Sequence, residues 1–164
     1  MRLFIGIKLD NKALKKVDNY MNYLYQKGVR GNYTKLANVH LTLAFLGDVS
    51  SDKVDELLEI INSVDTSLLK SLMINKIKML KSIITLNVIR ENNLLNVQKD
   101  LTDKLNEKGY KLDQREYVPH ITLVREASKT IEEDINIISE FTKITLFESI
   151  RTNNGMVYVD LSSK

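Results

Sequence analysis

The tetrapeptide His-Leu-Thr-Leu at positions 40–43 returns as His-Ile-Thr-Leu at 120–123, and these hold the only 2 histidines of the 164-residue chain. In an extended strand, successive side chains point to opposite faces. His40 and Thr42 therefore share one face, while Leu41 and Leu43 commit the other to an apolar core. His120 and Thr122 stand in the same relation to Ile121 and Leu123. A fold containing both copies needs two strands, about half a chain apart, each buried on one side and open on the other. Two similar sheets that turn their open faces toward each other meet that need.

The rest of the chain supports such a duplication. Residues 2–9 alternate, with Leu3, Ile5, Ile7 and Leu9 on one side, which predicts a strand. Asp10 is placed to cap a helix carrying Leu14, Val17, Tyr20 or Met21, and Leu24 up to Gly28. The aromatic "YMNYLY" within it is a core stripe before it is a platform for bases. A strand through "NVHLTLAFLG" follows, then a helix "SSDKVDELLEIINSV" opened by a Ser or Asp cap with Val54, Leu57, Leu58 and Ile61 on its apolar face. "SLMINKIKML" and "SIITLNVIR" predict two strands turning near Lys81. "NNLLNVQKDLTDKLNEKG" predicts a helix capped by Asn and ended by Gly109. "YVPHITLVR" predicts a strand whose proline, Pro119, sits at its start. "TIEEDINIISEF" predicts a short helix, and "ITLFESI" with "MVYVDL" a closing hairpin across "TNNG". The expected architecture is α+β: two pseudo-twofold-related lobes in a single bilobal domain over 1–164. Each lobe is an antiparallel-rich sheet with helices on its outer face, and an active-site cleft lies between them.

Composition narrows the function. Cysteine is absent, so there is no disulfide framework and no thiolate metal site. No apolar run approaches the roughly 20 residues that span a bilayer, and the opening segment lacks a signal-peptide cleavage site. The expectation is a cytoplasmic protein without membrane contact. The net charge of +3 permits an anionic ligand without arguing for nucleic acid.

A lone His-x-Thr is commonplace on a half-exposed strand. Two matched copies that use every histidine are not. A metal reading fails for want of a His-x-x-x-His, a cysteine or a tight carboxylate cluster, so no metal and no cofactor is expected. Two facing imidazoles suit a reaction with a base on one side and an acid on the other, because one can be neutral and its partner protonated near pH 7. In-line displacement at phosphorus makes that demand. Thr42 and Thr122 would donate to the non-bridging phosphate oxygens. A cyclic 2′,3′-phosphate, with its strained ring, is a favourable substrate.

"HLTLAFLG" and "PHITLVR", with "MRLFIGIKL" at the start and "LFESI" then "GMVYVDL" at the end, resemble the 2H phosphoesterase superfamily. The chain is most similar there to the RNA 2′,3′-cyclic phosphodiesterase family, formerly called 2′-5′ RNA ligase. The resemblance implies a metal-independent enzyme that opens RNA 2′,3′-cyclic phosphate ends to 2′-phosphates, with reversible 2′-5′ ligation as a companion reaction. It implies His40 as proton donor and His120 as proton acceptor. The implied partner is RNA with a cyclic phosphate end, a tRNA fragment or oligonucleotide, bound by a monomer. Alternatives are a relative acting on 2′-5′ oligonucleotides or an ADP-ribose cyclic phosphate, and a non-catalytic module that holds RNA ends.

Five residues after the two histidines stand Phe45 and Arg125, equivalent under the twofold. A ring facing a guanidinium would sandwich a nucleobase, and the resemblance supports base contact by both. Strict alternation, however, sends 45 and 125 to the face opposite the histidines, so a bulge or strand end must re-aim them. Otherwise Phe45 belongs to the core and Arg125 to solvent. The loop at Tyr33 and Lys35 lacks the family's usual Trp and Pro and is expected as surface. Ser149 and Tyr158 resemble the family's closing hairpin and are expected to be structural.

Overall fold

In a computed structural model the chain is described over residues 1–162. Nine strands and three α-helices follow one another there as β1 (Arg2–Lys8), α1 (Asn11–Gln26), β2 (Asn32–Tyr33), β3 (His40–Asp48), α2 (Val54–Ser63), β4 (Ser71–Leu80), β5 (Ile83–Val88), α3 (Asn92–Glu107), β6 (His120–Arg125), β7 (Glu133–Glu140), β8 (Ile144–Thr152) and β9 (Gly155–Asp160). They form two sheets, one ordered β3-β1-β8-β9 and the other β2-β6-β5-β4-β7. Every paired strand is antiparallel. This is the mixed α+β, two-sheet architecture that the duplicated motif predicts.

The helices cross between the halves. α1 follows the first sheet's β1 but packs against β7 of the second, whereas α3 follows the second sheet's β5 and packs against β3 of the first, beside α2 on β8. One continuous cluster of buried apolar residues results, from Leu3, Ile5 and Ile7 through Leu41 and Leu43 to Leu86, Ile121 and Leu123. α1 buries Ala13, Val17, Met21 and Leu24, a stripe at helical spacing. Asp10 caps it as expected, accepting from the Ala13 backbone N–H at 2.8 Å. The same carboxylate accepts from Glu140 N–H at 2.7 Å, and Asp10 N–H donates to Ser139 Oγ at 2.9 Å. The end of β1 is thereby tied to the edge strand of the other sheet, and the bonds from the Ala13 and Glu140 N–H groups hold the Asp10 carboxyl below the usual carboxylate range.

Three expectations need correction. "TIEEDINIISEF" is not a helix but contains β7, an edge strand paired with β4, in which Ile135, Ile137 and Ser139 alternate inward. Strand pairing decides there, in keeping with the β-branched isoleucines. α3 is capped by Glu91, whose carboxylate accepts from Asn93 and Leu94 N–H, rather than by asparagine. α2 has no side-chain cap at all; Ser51–Lys53 instead form a 3₁₀ turn leading into it.

Candidate active site

Each histidine opens its strand, and the residues before it set its ring. Val39, between Asn38 and His40, is extended, and Pro119, between Val118 and His120, has the φ its ring imposes. The chain therefore brings the carbonyl two residues back against each imidazole. His40 Nδ1 lies 2.7 Å from the Asn38 carbonyl oxygen, and His120 Nδ1 lies 2.8 Å from that of Val118. A carbonyl can only accept, so Nδ1 carries the proton in both rings and Nε2 is the nitrogen left for chemistry. His40 Nε2 is 2.8 Å from Thr42 Oγ1, the hydroxyl donating to the neutral ring.

The alternation read from the sequence holds. Leu41, Leu43, Ile121 and Leu123 are buried, and His40, Thr42, His120 and Thr122 lie on the open side. The strict alternation that would have misdirected Phe45 and Arg125 is broken in both strands at the same place. Ile5 stands opposite Ala44 and Gly6 opposite Thr42, so Leu43 is an extra residue. Ile84 stands opposite Val124 and Thr85 opposite Thr122, so Leu123 is extra as well. Each bulge buries two consecutive residues (Leu43 with Ala44, Leu123 with Val124) and returns the next side chain to the histidine face. Phe45 emerges 71% exposed, its ring 6.2 Å from that of Phe4, which itself lies 4.8 Å from the His40 ring.

The bulged carbonyls are all engaged. Thr42 O accepts from Tyr117 Oη at 2.7 Å and Leu43 O from Gln98 Nε2 at 3.3 Å. Thr122 O accepts from Thr34 Oγ1 at 3.0 Å and Leu123 O from Thr34 N–H at 2.8 Å. The segment entering β3 thus grips β6, and the segment entering β6 grips β3. Burial pushes the Tyr117 phenol up, so it keeps its proton and remains a donor. Gly6 sits opposite the first bulge, where a Cβ would come within 2.6 Å of the Leu41 carbonyl oxygen and 3.3 Å of His40 Cδ2. Only a residue without a side chain admits that approach.

The two copies differ in surroundings. His120 is exposed. His40 is enclosed by Phe4, by Phe147 at 6.1 Å and by the edge of Tyr158 at 5.3 Å. Burial lowers its pKa below the usual 6.5; the bond to Asn38 opposes this, and the charges of Lys8, Arg125 and His120 push it further down. Arg125 and His120 belong to β6 of the second sheet, and their charges reach His40 on β3 of the first. Lys8, the cross-strand partner of His40, holds its ammonium 5.7 Å from the Phe147 ring centre.

The sequence motif therefore marks the open face on which both histidines and both threonines lie. Lys8, Tyr117, Thr34 and the Phe4–Phe147 pair escaped it, since no periodicity marks them. Tyr158, expected to be structural, touches His40. Tyr33 and Lys35 are engaged within the fold: Tyr33 Oη donates to Val29 O and Lys35 Nζ to Asn154 O. Among the described residues no group of three His, Cys, Asp or Glu could hold a metal ion, and no helix is long and apolar enough to cross a membrane.

Comparison with known proteins adds a family. A family model described as the 2′-5′ RNA ligase superfamily matches residues 17–148. The RNA 2′,3′-cyclic phosphodiesterase of Methanocaldococcus jannaschii is 28% identical, over 96% of this chain and 96% of its own. That of Thermotoga maritima is 26% identical, over 96% and 91%. The crystal structure of E. coli LigT complexed with 3′-AMP superposes with a TM-score of 0.80 at 25% identity, covering 98% of this chain and 94% of that one.

Proposed function

Because the chain belongs to the 2′-5′ RNA ligase superfamily, we propose that it hydrolyses the 2′,3′-cyclic phosphate ends of RNA oligonucleotides or tRNA fragments to 2′-phosphomonoesters without a metal ion. Two relatives carry the name of that activity. The observation that supports it most is the shared anchoring of the two imidazoles: both are held as the Nδ1–H tautomer, which leaves Nε2, bonded in His40 to the Thr42 hydroxyl, as the nitrogen that can exchange a proton.

In this reaction His120 Nε2 takes a proton from water as its oxygen forms a bond to phosphorus. The P–O3′ bond breaks, and His40 Nε2–H protonates the departing O3′, leaving a 3′-hydroxyl and a 2′-phosphate. Thr42 and Thr122 donate to the non-bridging oxygens. Ligation would substitute a 5′-hydroxyl for water with the same groups in the same roles. His40 starts neutral in the free protein, because burial and nearby cations depress its pKa. The anionic diester offsets Lys8 and Arg125 and so favours the protonated, acid-competent ring when substrate is bound.

Incubating a cyclic-phosphate oligonucleotide with the protein in EDTA tests the reading. The expected product is a terminal 2′-phosphate at a rate EDTA leaves unchanged. A 3′-phosphate product, or a rate restored only by added metal, would overturn it. Phe45 and Arg125 are the proposed walls of a base sandwich. Phe45→Ala is then expected to weaken nucleotide binding by about 1–3 kcal/mol in calorimetric titration, with little loss of stability because the ring is exposed.

A further inference from the structure

β4 carries a further bulge, in addition to those that leave Leu43 and Leu46 extra in β3 and Leu123 extra in β6. Ile74 pairs with Val88 and Lys76 with Asn87, leaving Asn75 as the extra residue. The bulge turns the exposed Asn75 carboxamide toward β5, where Asn75 Oδ1 accepts from Asn87 Nδ2 at 2.8 Å. Asn87 is in turn the direct cross-strand partner of His120. In an antiparallel sheet such partners lie on one face with Cβ atoms about 4.5–5.5 Å apart. A polar row thus runs across the second sheet, from His120 through Asn87 to Asn75, on the face that carries the histidine. Lys76 stands opposite Asn87 at its far end, with Asp134 of β7 on its other side. The exposed side chain of Ile138 and the half-buried Met73, cross-strand partners on β7 and β4, adjoin it.

Apart from His120 at its end, nothing in the hydrolysis derived above uses this row. The bond between the two carboxamides takes one N–H of Asn87 and one oxygen lone pair of Asn75. The pair keeps free N–H donors and free carbonyl lone pairs in an exposed position. That mixture matches a ribose, whose 2′-hydroxyl both donates and accepts. One lysine beside it matches one phosphodiester, and the apolar Met73–Ile138 pair suits the face of a base.

Resting on the proposed reaction at the histidines, we infer that Asn75, Asn87 and Lys76 form a subsite for the nucleotide preceding the cyclic phosphate.

Binding of product analogues tests the subsite apart from catalysis. The probes are a nucleoside 2′-phosphate and the dinucleotide ending in the same 2′-phosphate, titrated calorimetrically. The wild-type protein is expected to bind the dinucleotide about tenfold more tightly, the scale of one or two added hydrogen bonds. The double variant Asn75→Ala with Asn87→Ala narrows that ratio to about twofold or less. Asn75→Asp retains an acceptor for Asn87 Nδ2 but brings a negative charge toward the phosphodiester. It also narrows the ratio, most at low salt, which a purely structural asparagine pair would not do. Equal affinity for the two probes in the wild-type protein overturns the inference, as does a ratio that survives both variants. Failure of the protein to turn over a cyclic phosphate would count against the proposed reaction and leave the binding ratio to stand.

Discussion

Replacing either histidine with alanine lowers turnover of an RNA 2′,3′-cyclic phosphate by about 10²–10⁴-fold or more, while KM changes little. Neither ring is needed to hold the sugar or base, so the loss is confined to proton transfer in the transition state. The two variants separate when the leaving group is changed. A phosphodiester that expels p-nitrophenolate needs no proton on the departing oxygen. His40→Ala regains most of its activity on that substrate if His40 is the acid, while His120→Ala stays slow because water still needs a base. Rescue of His120→Ala in place of His40→Ala would reverse the assignment.

Phe147→Ala carries the largest expected cost to stability. The ring is 1% exposed and stacks on Phe4 with centroids 5.0 Å apart, so its removal leaves a cavity the sheet cannot close. The expected loss is about 3–5 kcal/mol, read from urea unfolding. The same deletion admits water toward His40. Burial is the first cause of that ring's lowered pKa, so the midpoint of its titration rises toward 6.5 in the variant. The sign has a consequence for the wild-type protein. A group with a depressed folded-state pKa contributes stability above its unfolded value, and that contribution disappears as pH falls through the folded one. Acidification below about pH 6.5 therefore erodes wild-type stability through His40, and Phe147→Ala reduces that erosion. A His40 midpoint unmoved by the deletion would show that the aromatic wall does not set its charge.

Much of this was legible before any coordinates. The repeated tetrapeptide placed the two strands, their buried faces and the polar pairs, because a period of two is a strong constraint when one face must be apolar. The bulges were only half legible. The parity of Phe45 and Arg125 required a break in each strand, but nothing in "HLTLAFLG" or "HITLVR" says that it falls at the third residue after histidine. The acidic opening of β7 mimics a helix start in the sequence, and pairing with β4, distant in sequence, makes it a strand. The inequality of the two histidines was also hidden. Matched tetrapeptides place one ring among Phe4, Phe147 and Tyr158 and leave the other in solvent, and those three aromatics come from the two ends of the chain.

The central claim is that both imidazoles serve one phosphorus. Titrating a nucleoside 2′-phosphate into protein labelled with ¹⁵N in its histidine rings reads this directly. One equivalent is expected to shift the Nε2 resonances of His40 and His120 together, along a single binding curve. A ligand that moves one ring and leaves the other untouched at saturation would contradict it.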